Sequence, residues 1–147
     1  MLVKIIIKTL LITILGLFFT VNSFSIEPKD FVQQTVDSAT KALDQSLSKD
    51  LKIIKLKTIA KKNVDIEGIG FYSLGKYRKT ISEQKKREYL EIFTKYFLKT
   101  FSSRLAQYSD PKIIVNSQKK LNDKYTMVSS VLIATDDKPE VKIDWRV

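Results

Sequence analysis

The chain has 147 residues, a length that suits one domain, and 44% of them are apolar, enough for a real core rather than a disordered coil. It has no Cys and no His, which excludes disulfides, thiol nucleophiles, the usual zinc ligand sets and every His-based catalytic triad. Its 26 basic and 16 acidic residues give a net charge of +10. An excess of this size fits solvated lysine-rich faces first, an anionic membrane surface second, and nucleic acid least.

Residues 1–25 read as a secretory signal peptide. Lys4 and Lys8 form a positive start, Thr9 to Val21 is mostly apolar, and small residues follow at Ser23 and Ser25. Val21 with Ser23, or Ser23 with Ser25, fits the two small positions of a cleavage site. An uncleaved anchor is the competing reading, although the apolar run is short for a bilayer span of about 20 residues. No lipidation Cys is present. The remaining domain, 26–147, carries 24 basic against 16 acidic residues, or +8.

Pro28 opens that domain. Val32, Val36, Ala39, Leu43 and Leu47 then recur at helical spacing and predict a first helix. Asp50 is positioned to cap a second, with Leu51, Ile54 and Ile59 inward. Asp65 to Tyr77 holds Ile66, Ile69, Phe71 and Leu74 but is interrupted by Gly68, Gly70 and Gly75, so a short helix ending at a turn is expected.

Thr80 and Glu83 fit a capping box before the longest predicted helix, 82–108. Leu90, Phe93, Phe97, Phe101 and Leu105 form its apolar stripe, widened by Tyr89, Tyr96 and Tyr108. Lys85, Lys86, Arg87 and Lys95 are placed on its wet side. Asp110 and Pro111 end it.

Strands follow. The first is Ile113 to Ser117 and the second Tyr125 to Thr135, with a turn at Asn122 and Asp123. Val131, Leu132 and Ile133 are consecutive and apolar, which predicts cover on both faces. Val141, Ile143, Trp145 and Val147 alternate with Lys142, Asp144 and Arg146, the mark of a strand with one buried face. The fold class is therefore α+β, with helices on one face of an antiparallel meander. The sequence stops within this last strand, which suggests that it is shorter than its fold.

Catalytic constellations are scarce. Asp136 with Asp137, and Asp65 with Glu67, are the paired carboxylates, and turn chemistry or helix capping accounts for them. Ser129 and Ser130 have no base in view, and no phosphate-binding glycine loop occurs. The composition argues for a binding module rather than an enzyme. A small hydrolase or isomerase would rest on fold analogy alone.

One set of motifs says more. Leu74-Gly75-Lys76-Tyr77-Arg78-Lys79-Thr80, then Gln84, Tyr89, Phe93 and Tyr96, resembles the MlaC or toluene-tolerance family of periplasmic phospholipid-binding proteins. Ile143-Asp144-Trp145-Arg146-Val147 is similar to the family's Asp-Trp-Arg strand, and the order of elements agrees over nearly all of 26–147. The resemblance implies a monomeric carrier, without cofactor or metal. It would move phospholipid between an inner-membrane ABC transporter complex and an outer-membrane lipoprotein complex of a Gram-negative envelope, sustaining outer-membrane lipid asymmetry. It also implies a further strand and C-terminal helices beyond Val147. A remnant without carrier activity, or an interaction module of the same system, is therefore the alternative.

Such a carrier needs an apolar slot between helices and sheet. The inward faces nominate Leu74, Tyr77, Phe93, Phe97, Phe101, Met127, Val131, Val141, Ile143 and Trp145, each also explicable as plain core. Arg78 and Arg146 are the headgroup candidates, with a surface ion pair as the simpler reading.

Overall fold

Pro28, whose fixed φ suits a first helical turn, begins helix α1 (Pro28–Ala42) in a computed structural model that describes residues 26–136 and 138–147. The signal-peptide reading of 1–25 and the residue Asp137 lie outside the described residues. Three more α-helices follow: α2 (Lys49–Asn63), α3 (Ile66–Ser73) and α4 (Glu83–Leu105), with a 3-10 turn at Gly75–Lys79 between the last two. Strands β1 (Ile113–Lys120), β2 (Thr126–Leu132) and β3 (Val141–Arg146) form an antiparallel sheet in the order β1-β2-β3. The described chain is thus α+β, as the periodicities predict.

The helical spacing in α1 is met: Val32, Val36 and Leu43 are buried, and Leu47 falls in the turn beyond the helix. Val32 and Val36 pack on Val128 of β2, with Ile113, Val115 and Trp145 around them, so α1 is the helix seated on the sheet. Its last turn joins a second cluster, in which Ala42 and Leu43 meet Leu56 of α2 and Ala106 after α4.

The inward face of α2 differs from the one expected. Leu51 and Ile54 are exposed and Ile59 is half-buried, while Lys52, Leu56 and Ala60 are buried. The cause is Lys52. Its stem lies in the core and its ammonium donates to the Tyr108 carbonyl (3.3 Å) and to Ser109 Oγ (3.1 Å) just past the end of α4. A cation there is favoured by the helix dipole, so a charged residue holds a core position and turns the face by one residue. The N-cap is Ser48, whose hydroxyl accepts from the Leu51 amide; Asp50 sits in the first turn instead.

Asp65 caps α3 by accepting from the Gly68 amide at 2.9 Å, which gives that carboxylate a structural role. Gly75 adopts φ 55°, the left-handed turn that a side chain disfavours, and ends the segment. Helix α4 is capped by Ser82, which accepts from the Lys85 amide, whereas Thr80 donates to the Tyr77 carbonyl. It ends at Leu105, short of Tyr108.

Helix α4 packs on α2 and α3. The close approach to α3 is made at Gly70, where an added Cβ would stand 2.7 Å from Phe93 Cδ1 and 3.0 Å from Leu90 Cδ2. Gly70→Val is therefore expected to force these helices apart and cost about 1–3 kcal/mol, measured by urea unfolding, with the far-UV spectrum retained.

Register decides which strand residues face the helices. Val128, Ser130 and Leu132 are buried and oppose Trp145, Ile143 and Val141 of β3. Val131, Ser129 and Met127 alternate with them and belong to the other face, where Ser129 Oγ donates to Asp144 at 2.7 Å. Val131 is only half-buried there, so the cover expected on both faces is partial.

Candidate functional site

Between the C-terminal half of α4 and β3 lies a largely apolar cavity of about 770 Å³. It exists because α1, not α4, seats on the sheet, leaving the aromatic side of α4 without a close partner strand. One wall is α4, in two adjacent i,i+4 rows: Tyr96, Thr100 and Arg104, then Phe97, Phe101 and Leu105. The other wall is Leu132 of β2 with Val141 and Ile143 of β3. Gln107, Tyr108, Lys138 and Pro139 close one end.

The aromatic row is continuous. Tyr89, Phe93, Phe97 and Phe101 stack in sequence with centroid separations of 5.9, 6.2 and 5.6 Å. None of the four is fully buried, and Tyr96 beside them is 64% exposed. Phe93, Phe97 and Phe101 pack in part on the buried Ala60, Ile66 and Leu98, and the row as a whole stays half-buried.

Among the described residues Arg104 and Lys138 line the cavity and no carboxylate does. The Lys138 ammonium lies 5.2 Å from the centre of the Tyr108 ring, which holds the cation at the apolar rim. The site therefore offers an apolar interior with cations and a phenol at its edge, a layout that suits an amphiphile with an anionic head. Among the described residues there is no group of three or more acidic side chains placed to hold a metal ion.

The residues nominated from the sequence fall into three places. Phe97, Phe101, Val141 and Ile143 line the cavity. Phe93 packs with Phe97 and Phe101 around Ala60, Ile66 and Leu98, next to the cavity but below it, and Trp145 packs against Val32, Val36 and Val128. Leu74 is half-buried at the end of α3, Tyr77 is 61% exposed on the 3-10 turn, and Met127 and Val131 are on the opposite face of the sheet. For the last two the reason is parity: Val128 and Leu132, one residue along from each, take the inward positions.

Arg78 and Arg146 also stand apart from the cavity. Neither has a carboxylate within ion-pair distance among the described residues. The Arg78 guanidinium lies 5.9 Å from the Phe71 ring centre, and that of Arg146 lies between Tyr125 (4.9 Å) and Tyr72 (6.0 Å). Of the cavity residues, Thr100, Arg104, Gln107, Lys138 and Pro139 were not singled out from the sequence, and Tyr96, Leu105, Tyr108 and Leu132 were read as apolar stripe or strand but not as lining. Arg104 carried a usable signal, since it continues the row Tyr96-Thr100 at a spacing of four.

Trp145 is fixed from below the site. Its indole N–H donates to Ser130 Oγ at 2.9 Å, and Ser130 is buried. Ser130→Ala leaves the indole without that acceptor and is expected to cost about 1–2 kcal/mol, seen as a melting temperature lower by several degrees.

Fold and site together define a helix-and-sheet domain with a largely apolar cavity between α4 and β3. Residues 30–147 match the MlaC protein family, so the chain belongs to that family. Among solved structures it is similar to a phospholipid-binding protein from Ralstonia solanacearum, determined in complex with a phospholipid. The TM-score is 0.65 at 15% identity, over 83% of this chain and 70% of that one, a likeness of fold. No curated protein gives a significant match.

Proposed function

We propose that the protein binds a phospholipid in the cavity between α4 and β3 and carries it across the periplasm. The acyl chains lie against Phe97, Phe101, Leu132, Val141 and Ile143, and the phosphate is met by Arg104 and Lys138 at the rim. The observation that carries this reading is the stacked aromatic wall facing an apolar strand across the cavity, with Arg104 and Lys138 among the residues that line it. Membership of the MlaC family, and a phospholipid-bound structure of similar fold, support it.

The physical need is plain. A two-chain lipid has about 30 methylenes, each worth ~0.8 kcal/mol on leaving water, so it does not cross an aqueous gap unshielded. Among the described residues no helix is long and apolar enough to cross a membrane. In this reading residues 1–25 direct export, and the carrier exchanges lipid with an inner-membrane ABC transporter complex and an outer-membrane lipoprotein complex. It performs no bond chemistry.

The test is the lipid content of the protein after expression of the full chain in a Gram-negative host. Mass spectrometry of an organic extract should return phospholipid at about one molecule per chain. Folded, monodisperse protein that carries none, and takes up none from vesicles, would overturn the reading.

A further inference from the structure

The corner where α3 meets α4 is chemically unlike the rest of the surface. Between residues 76 and 88 stand Lys76, Arg78, Lys79, Lys85, Lys86 and Arg87 against two acids, Glu83 and Glu88. Glu83 is already engaged by Lys86. Its carboxyl is held below the usual range by the hydrogen bond from Lys86 and then by that cation's charge.

Aromatic rings are set among these cations. Phe71 has Arg78 at 5.9 Å and Lys86 at 5.4 Å from its centre, and Lys76 lies 5.6 Å from that of Tyr77. Tyr77 is 61% exposed, and Tyr72, 68% exposed at the end of α3, has Arg146 of β3 at 6.0 Å from its ring centre. The left-handed Gly75 starts this projection, and a Cβ added there would meet nothing within 4 Å, so the turn stands out into open space.

Exposed tyrosines beside lysine and arginine are the side chains that settle at the boundary of a bilayer whose lipids are anionic: the rings enter the headgroup layer and the cations meet phosphates. Charge alone does not single the corner out, because α2 is also rich in lysine. But α2 contains no aromatic residue. We infer that the Gly75–Lys79 turn with the flanking ends of α3 and α4 is a docking surface for an anionic lipid bilayer.

This surface is separate from the cavity. The nearest cavity residue on α4, Tyr96, is 10 residues from Lys86, about 15 Å at 1.5 Å per residue, and Arg104 at the rim is 18 residues away, about 27 Å. Docking therefore needs no lipid in the cavity, and either property can fail without the other.

The experiment is flotation with phosphatidylcholine vesicles, with and without phosphatidylglycerol. It uses protein from full-chain expression, parent and variants alike, so that any contribution of residues 1–25 is common to all. Lys76→Gln/Arg78→Gln/Lys79→Gln should weaken binding to the anionic vesicles on the order of a hundredfold, since each cation at such a surface contributes about fivefold. Tyr72→Ser/Tyr77→Ser should weaken it several-fold with charge unchanged. The charge-matched control Lys55→Gln/Lys61→Gln/Lys62→Gln on α2 should lose far less. Equal loss in the control would overturn the inference in favour of diffuse charge. Tyrosine variants that bind as the parent does, with a single-stranded oligonucleotide competing fully, would overturn it in favour of a general polyanion surface. Circular dichroism melting verifies that each variant is folded.

Discussion

Ile143→Asp is expected to empty the cavity while leaving the domain folded. Ile143 is half-buried on β3, on the cavity wall opposite Phe97 and Phe101. Across from Phe97 and Phe101 a carboxylate there would be pressed against acyl chain at a cost of several kcal/mol, so the complex rather than the fold gives way. The fold tolerates the change because no strand pairs with the far side of β3 among the described residues, and the empty cavity admits water to the new charge. Bound phospholipid per chain should fall at least tenfold, and the melting temperature should move by a few degrees at most. Val131→Asp is the matched control. It introduces the same charge on β2 but on the other face of the sheet, and should leave lipid content unchanged.

Leu56→Ala is expected to produce the largest loss of stability. Leu56 is 0% exposed and joins Ala42, Leu43 and Ala106, tying α2 to the end of α1 and to the chain leaving α4. The cluster contains two alanines and so has little material with which to refill a void. Truncations of this kind cost about 2–5 kcal/mol, a large share of the roughly 5–15 kcal/mol that holds such a domain together. A melting temperature lower by on the order of 10 °C is expected in calorimetry. Leu51→Ala, at an exposed position in the same helix, should change stability by less than about 0.5 kcal/mol. That contrast tests the face of α2 directly.

The parts of the fold that sequence reveals are those where one rule acts alone. Val32, Val36 and Leu43 repeat at helical spacing and are buried; Val141, Ile143 and Trp145 alternate and face the helices. Sequence is silent where a second effect competes. In α2 a lysine stem replaces an apolar side chain in the core, so hydropathy points to Leu51 and Ile54, which are exposed. Before α4, both Thr80 and Ser82 are competent caps, and the 3-10 turn engages Thr80 first.

The cavity is half legible for similar reasons. The stripe on α4 places Phe97 and Phe101 correctly, but spacing cannot distinguish rings that face another helix from rings that face empty volume. In β2 the run Val131-Leu132-Ile133 has no polar alternation to set its parity, and only pairing with β3 shows that Leu132 is the inward residue. Lys138 reaches the rim from the turn between β2 and β3, where no periodicity exists to be read.

The most direct test of the account is to load the protein with a phospholipid bearing a photoreactive acyl chain, irradiate it, and map the adducts by peptide mass spectrometry. Adducts on the α4 segment with Phe97 and Phe101 and on the β3 segment with Val141 and Ile143 are the predicted result. Adducts confined to the opposite face of the sheet at Ile114, Met127 and Val131, with α4 and β3 unlabelled, would contradict it.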